Sequence, residues 1–124
     1  PRENNNNFED TRNMVIYTGS HDNQTIRGWY ESQNENTQDA IRKALEKAGY
    51  EDRVISRRFI RLTLDSIADM AIFPLQDFLD LGDEARINTP GTVGSPNWEW
   101  KLTNFHKLRK EISGIKDLII ASER

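Results

Sequence analysis

Cysteine is absent from the 124 residues. That excludes disulfides, thiolate metal sites and cysteine nucleophiles. Histidine is nearly absent. The two present stand at 21 and 106, so no helical two-histidine metal pair exists. No apolar run approaches the roughly 18 residues of a membrane span; Met70–Phe73 is typical of the longest. The first residues lack the basic-then-apolar pattern of a secretory signal. An excess of basic charge is also missing. Seventeen basic residues face 20 acidic ones, for a net charge of −3, which argues against a general nucleic-acid binder. Hydrophobic residues are scarce at 35%. Even with the seven glycines added, they fall short of the roughly 45–50% of globular chains. The length allows one domain at most.

What is present is organised. Residues 1–13, with four consecutive asparagines at Asn4–Asn7, form a polar entry segment. It has too little apolar area to offset its ordering entropy and is predicted to be mobile. Residues 14–124 form the structured portion. Met14–Thr18 is an unbroken apolar and β-branched run without alternation, the pattern of a strand covered on both faces in a parallel sheet. Gly19-Ser20 ends it, and Asp22 or Asn23 is placed to cap a helix containing Trp29 and Tyr30. Thr37 is read as the start of a second helix, with Ala40, Ile41, Ala44, Leu45 and Ala48 on one face and Gly49 as its stop. A third is predicted from Asp52 to about Leu64, with Val54, Ile55, Phe59, Leu62 and Ile67 as its stripe.

Ala68–Phe73 is a second strand, ended by Pro74. A short turn from Gln76 to Leu81 closes at Gly82. Residues 86–100 read as a loop, with turn chemistry at Asn88-Thr89-Pro90-Gly91 and Gly94-Ser95-Pro96-Asn97. Loops of that length are uncommon and often functional. Residues 101–112 and 116–121 read as two final helices. Two doubly buried strands cannot cover each other, so the pattern implies a larger parallel sheet.

Chemistry concentrates at Thr18–Asn23, where a strand ends, a glycine turns the chain, and His21, Asp22 and Asn23 are presented together. Ligands bind at such strand ends in parallel α/β folds. A carboxylate beside an imidazole can hold sugar hydroxyls or stabilise developing positive charge. From spacing alone the plainer reading leads, with Asp22 a cap and His21 a loop residue. Trp29, Tyr30, Trp98 and Trp100 could stack on sugar faces, although aromatics at such positions are most often core. The clusters Arg57, Arg58, Arg61 and Lys107, Arg109, Lys110 read as solvated helix faces, with His106 exposed among the second.

The blocks taken together carry a resemblance. Tyr17–Asn23 with Gly28-Trp29, Ser66–Asp69, Ile72–Asp77, Leu81-Gly82, Ala85–Thr92 and Asn97–Leu102 resemble, in order, the C-terminal portion of 4-alpha-glucanotransferases. These are the amylomaltases or disproportionating enzymes of glycoside hydrolase family seventy-seven. Ser20 stands where that family commonly has Thr, Gln24 where an acid is frequent, and Lys101 where Arg is frequent.

The resemblance implies an α/β fold, the last two strand-helix units of a (β/α)8 TIM barrel, without cofactor or metal. A whole barrel needs about 250 residues, so the rest of it, N-terminal to this chain, is expected as a partner. The implied reaction is transfer of α-1,4-glucan segments between maltooligosaccharides by a retaining double displacement. In such reactions an Asp nucleophile and a Glu acid/base lie about 5–5.5 Å apart. His21-Asp22 matches the family's His-Asp pair. Asp22 is then the third carboxylate, the transition-state stabiliser, and His21 a sugar-binding partner. Asn88 matches a substrate-contacting Asn. No motif here matches the nucleophile or the acid/base, and Asp39, Asp69 and Glu99 are not assigned to those roles. The chain alone is expected to be inactive, with no nucleic-acid or membrane partner and a cytoplasmic or, in a plant or alga, plastid location. The alternative is a non-catalytic glucan-binding module built on Trp98 and Trp100.

Overall fold

The computed structural model describes residues 13–123. The expected mobile entry segment therefore lies almost wholly outside the described residues. Two three-residue strands, β1 (Val15–Tyr17) and β2 (Met70–Ile72), pair in parallel, with Ile16 opposite Ala71. Parallel neighbours need a long crossover. Here it comprises three helices, α1 (Ile26–Glu31), α2 (Glu35–Lys47) and α3 (Ile55–Leu64). After β2 come α4 (Leu75–Phe78), a 3-10 turn at Asp83–Ala85, an irregular loop and α5 (Phe105–Ala121).

The core sits between the sheet and the helices. Ile26, Ile60 and Leu64 are its buried centre, and Phe59, Ala71, Phe73, Phe78 and Leu118 pack on it. Ala71 thus points at the helices, with Ile16 beside it in register. The alternate positions, Val15, Tyr17, Met70 and Ile72, are about half exposed. Double burial of the strands is therefore not met within the described residues, because helices cover only one sheet face. The α3 stripe also differs from expectation. Ile60 is fully buried while Leu62 is 42% exposed.

Several boundaries move, each because another group competes. Helix α1 is capped by Thr25, whose Oγ1 accepts from the Gly28 amide at 3.0 Å, not by Asp22 or Asn23. Asn23 is occupied closing the preceding turn: its Oδ1 accepts from the Ser20 amide and hydroxyl. Helix α2 starts two residues before Thr37, since Asn34 accepts from the Thr37 amide at 2.9 Å. Helix α3 starts at Ile55 because Asp52 accepts from the Val54 amide in a turn ahead of it. The left-handed position after α4 falls to Asp80, φ 49°, rather than to Gly82.

The two expected C-terminal helices are one helix. Gly114 lies inside α5, at a cost of about 1 kcal/mol relative to Ala. Glu111 of the same helix holds Arg57 of α3 at 2.5 Å, and Leu118 reaches the core. Arg58 likewise departs from a solvated face. It is buried, donating to Glu46 at 2.9 Å and to the Asp52 carbonyl at 2.6 Å.

Candidate active site

The site grows from the end of β1. Gly19 and the 20–23 turn take the chain sharply off the strand, and the Asn23 amide returns to the Ser20 carbonyl at 3.1 Å. That turn leaves the side chains of His21 and Asp22 about half exposed, with His21 Nε2 3.4 Å from Asp22 Oδ2. An exposed pair at this separation contributes little to stability, so its exposure leaves both groups open to a ligand.

A second segment meets this turn from 66 residues further along the chain. The Asn88 side-chain amide donates to Asp22 Oδ1 at 2.7 Å, and the Asn88 backbone amide donates to the His21 carbonyl at 3.0 Å. Arg86 bridges the two segments. Its Nη2 donates to the Asp22 carbonyl and its Nε to the Asn88 carbonyl, both at 2.8 Å. The planar guanidinium fork suits two acceptors at once, which a lysine could not match. His21, Asp22 and Asn88, the three residues expected from the sequence, are thus in one cluster.

The long loop is irregular but internally bonded. Asn97 Oδ1 accepts from the Thr89 amide and its Nδ2 donates to Thr92 Oγ1, both at 2.8 Å. Gly91 and Gly94 take left-handed conformations that a side chain would resist. Trp98 is left-handed too, at φ 65°, with its amide donating to the Ile87 carbonyl at 2.7 Å. Its ring stands 5.1 Å from the His21 ring, tilted by 39°, and is 64% exposed. Trp100 is half-buried.

Beside the turn lies a cleft of about 570 Å³, bordered by Tyr17, Asp22, Trp29, Phe59 and Arg86. Trp29 stands edge-on to Phe59 at 5.7 Å. A carboxylate and aromatic rings therefore line one cleft, a combination that can grip both the hydroxyls and the apolar face of a sugar. Gln24 donates to Asp83 Oδ2 at 2.7 Å, so an acid at position 24 would face a carboxylate.

Below the site is Asp77, which sequence reasoning did not single out. It is 2% exposed and accepts from Thr18 Oγ1 at 2.6 Å and from the Ile26 amide at 2.9 Å. Burial is the main influence on its pKa and pushes it up, while the two hydrogen bonds pull it down and Asp80 adds a smaller upward push. Arg86 was also missed as a site residue; its signal lay in the neighbouring turn chemistry, but its partners are remote in sequence. Trp98 was read from the sequence as a ring that could stack on a sugar, and the structure adds that it stands beside His21. Among the described residues, no group of three or more histidines and carboxylates could hold a metal ion, and no helix is long and apolar enough to cross a membrane.

A parallel strand pair with polar chemistry at its carboxyl end defines the class as an α/β protein with a strand-end site. A family model for 4-alpha-glucanotransferase, glycoside hydrolase family seventy-seven, matches residues 2–107, and the chain belongs to that family. It is 42% identical over 111 residues to the chloroplastic/amyloplastic 4-alpha-glucanotransferase of Arabidopsis thaliana, covering 86% of this chain and 19% of that protein. It is 45% identical over 94 residues to the 4-alpha-glucanotransferase of Clostridium butyricum, covering 73% and 18%. Among solved structures it is similar to the amylomaltase from Streptococcus agalactiae in complex with acarbose. The TM-score there is 0.76 at 25% identity, covering 89% of this chain and 22% of that one. The chain thus spans about a fifth of the length of the curated relatives it matches.

Proposed function

We propose that the chain forms the last two strand-helix units of a (β/α)8 barrel that transfers α-1,4-glucan segments between maltooligosaccharides. The observation that carries this reading is the convergence of His21, Asp22 and Asn88 at the end of β1, through the 2.7 Å Asn88–Asp22 hydrogen bond. In this reading Asp22 is the third carboxylate. It binds hydroxyls of the donor sugar and stabilises the positive charge that develops as the glycosidic bond breaks. His21 donates to or accepts from a neighbouring hydroxyl. Asn88 orients the Asp22 carboxylate and contacts the substrate. The Asp nucleophile and the Glu acid/base come from other strands of the barrel. The half-exposed apolar sheet face of Val15, Tyr17, Met70 and Ile72 is the surface those strands would cover.

The test uses a chimaera in which this chain replaces the matching C-terminal segment of the Clostridium butyricum relative. The chimaera is expected to release glucose from maltotriose, and the isolated chain is not. Asp22→Asn in the chimaera is expected to lower kcat by at least about 100-fold, the usual loss when one positioned transition-state contact is removed. Near-normal kcat in that variant would remove Asp22 from the mechanism. An inactive chimaera, together with maltoheptaose binding by the isolated chain, would favour a non-catalytic glucan-binding module.

A further inference from the structure

The 19–25 loop that presents His21 and Asp22 is flanked by two residues with one thing in common. Thr18, just before it, and Ile26, just after it, both donate to Asp77, one to each carboxylate oxygen. Ile26 opens α1, so its amide has no acceptor within the helix. Asp77 supplies that acceptor from across the fold. Thr25 caps the same helix through Gly28, so the loop's far end is held twice. At its near end the hydroxyl of Thr18, the residue that follows β1, ties the chain to the segment that follows β2. Burial of a carboxylate is costly, and an apolar side chain would fill the same space without that cost.

We propose that Asp77 is a positioning residue for the reaction proposed above: by clamping both ends of the 19–25 loop it sets where the Asp22 carboxylate stands. It touches no substrate and acts only through the loop. The inference rests on that functional reading for its kinetic consequence, but not for its structural one. Positioning errors of about 1 Å can cost on the order of 100-fold in rate, so loosening a loop that bears a transition-state contact lowers kcat more than it weakens ground-state binding.

The experiment compares Asp77→Ala, Asp77→Asn and Thr18→Val in the chimaera. For each, kcat and KM on maltotriose are measured, with hydrogen exchange over residues 19–26 and over α5. Asp77→Ala is expected to lower kcat by about tenfold or more, to change KM by less than about threefold, and to speed exchange in the loop but not in α5. Asp77→Asn is expected to recover most of the kcat. Its carbonyl can accept from Ile26, and its amide can donate to a rotated Thr18 hydroxyl. Thr18→Val removes one clamp only and is expected to lower kcat by about threefold. It keeps the test open if Asp77→Ala fails to fold. Unchanged kcat in Thr18→Val with unchanged loop exchange would overturn the proposal, as would Asp77→Asn falling as far as Asp77→Ala. If the unsubstituted chimaera is inactive, the functional reading fails. The clamp is then decided by exchange alone, and loop protection unchanged in Asp77→Ala and Thr18→Val would refute it.

Discussion

Replacing Asn88 tests the centre of the site most directly. Its side-chain amide makes one described hydrogen bond, to Asp22 Oδ1 at 2.7 Å, while its backbone amide holds the His21 carbonyl independently. Asn88→Ala therefore removes the side-chain contact and leaves the two segments joined through the main chain and Arg86. A hydrogen bond to a charged group contributes about 1.5–3 kcal/mol. The Asp22 side chain is 48% exposed, so water replaces part of the loss and the low end applies. About 1.5 kcal/mol corresponds to roughly a tenfold fall in kcat. Asn88→Asp is harsher. It places a second carboxylate against Asp22, and two unit charges about 4 Å apart repel by about 1 kcal/mol in water and about 4 at an effective dielectric constant of 20. Added to the lost hydrogen bond, this lowers kcat by roughly 100-fold or more near neutral pH. Acid reverses part of the effect, because a protonated carboxyl can donate to Asp22 as the amide did. The assay is glucose release from maltotriose by the chimaera between about pH 5 and 8. An Asn88→Ala kcat within twofold of the parent, or an Asn88→Asp profile parallel to the parent's, would refute the reasoning.

Gly28→Ala should lower the chimaera's thermal midpoint by a few degrees. The new Cβ would fall 2.2 Å from Asp83 Oδ1 and 3.0 Å from its backbone nitrogen, so main chain must shift at a cost of about 1–3 kcal/mol. An unchanged midpoint would show that the 3-10 turn yields freely. Trp98→Val should destabilise by about 1–2 kcal/mol, since a β-branched residue resists the left-handed region. Trp98→Gly should not, and thermal melts of the pair compare the two. Asp77 has a raised pKa in the folded state, mainly through burial. The folded protein therefore holds this proton to higher pH than the unfolded chain, whose ordinary value is 3.8. The stability Asp77 contributes is present below that value and is lost as pH rises through the folded one. Asp77→Asn should thus gain stability relative to the parent as pH rises from about 4 toward neutral. A pH-independent difference in denaturation midpoint would contradict this.

Much of the site's first half was legible because its signals are local. An unbroken Met14–Thr18 run, a glycine and a polar turn are neighbours in the chain, so they announce a strand end bearing His21 and Asp22. The helix starts were harder, since Asn, Asp and Thr compete for the same amides. Asn23 is drawn into its own turn, which leaves the cap to Thr25. The break expected before Lys116 failed for a different reason. Glycine lowers helix propensity only weakly, and the Arg57–Glu111 pair and the Leu118 contact hold α5 against the core.

By itself the sequence determined the parallel α/β character, the two strands, the irregular 86–100 segment and the family resemblance, all of which rest on residue types at short spacing. Tertiary structure alone decided that Asn88 meets Asp22, that Arg86 fastens both segments, that the Trp98 ring stands beside His21, and that Asp77 is buried beneath the loop. Each of these joins residues far apart in the chain, and no periodicity encodes such a meeting. It follows from how the parallel crossover brings the segments after β1 and β2 side by side at one end of the sheet.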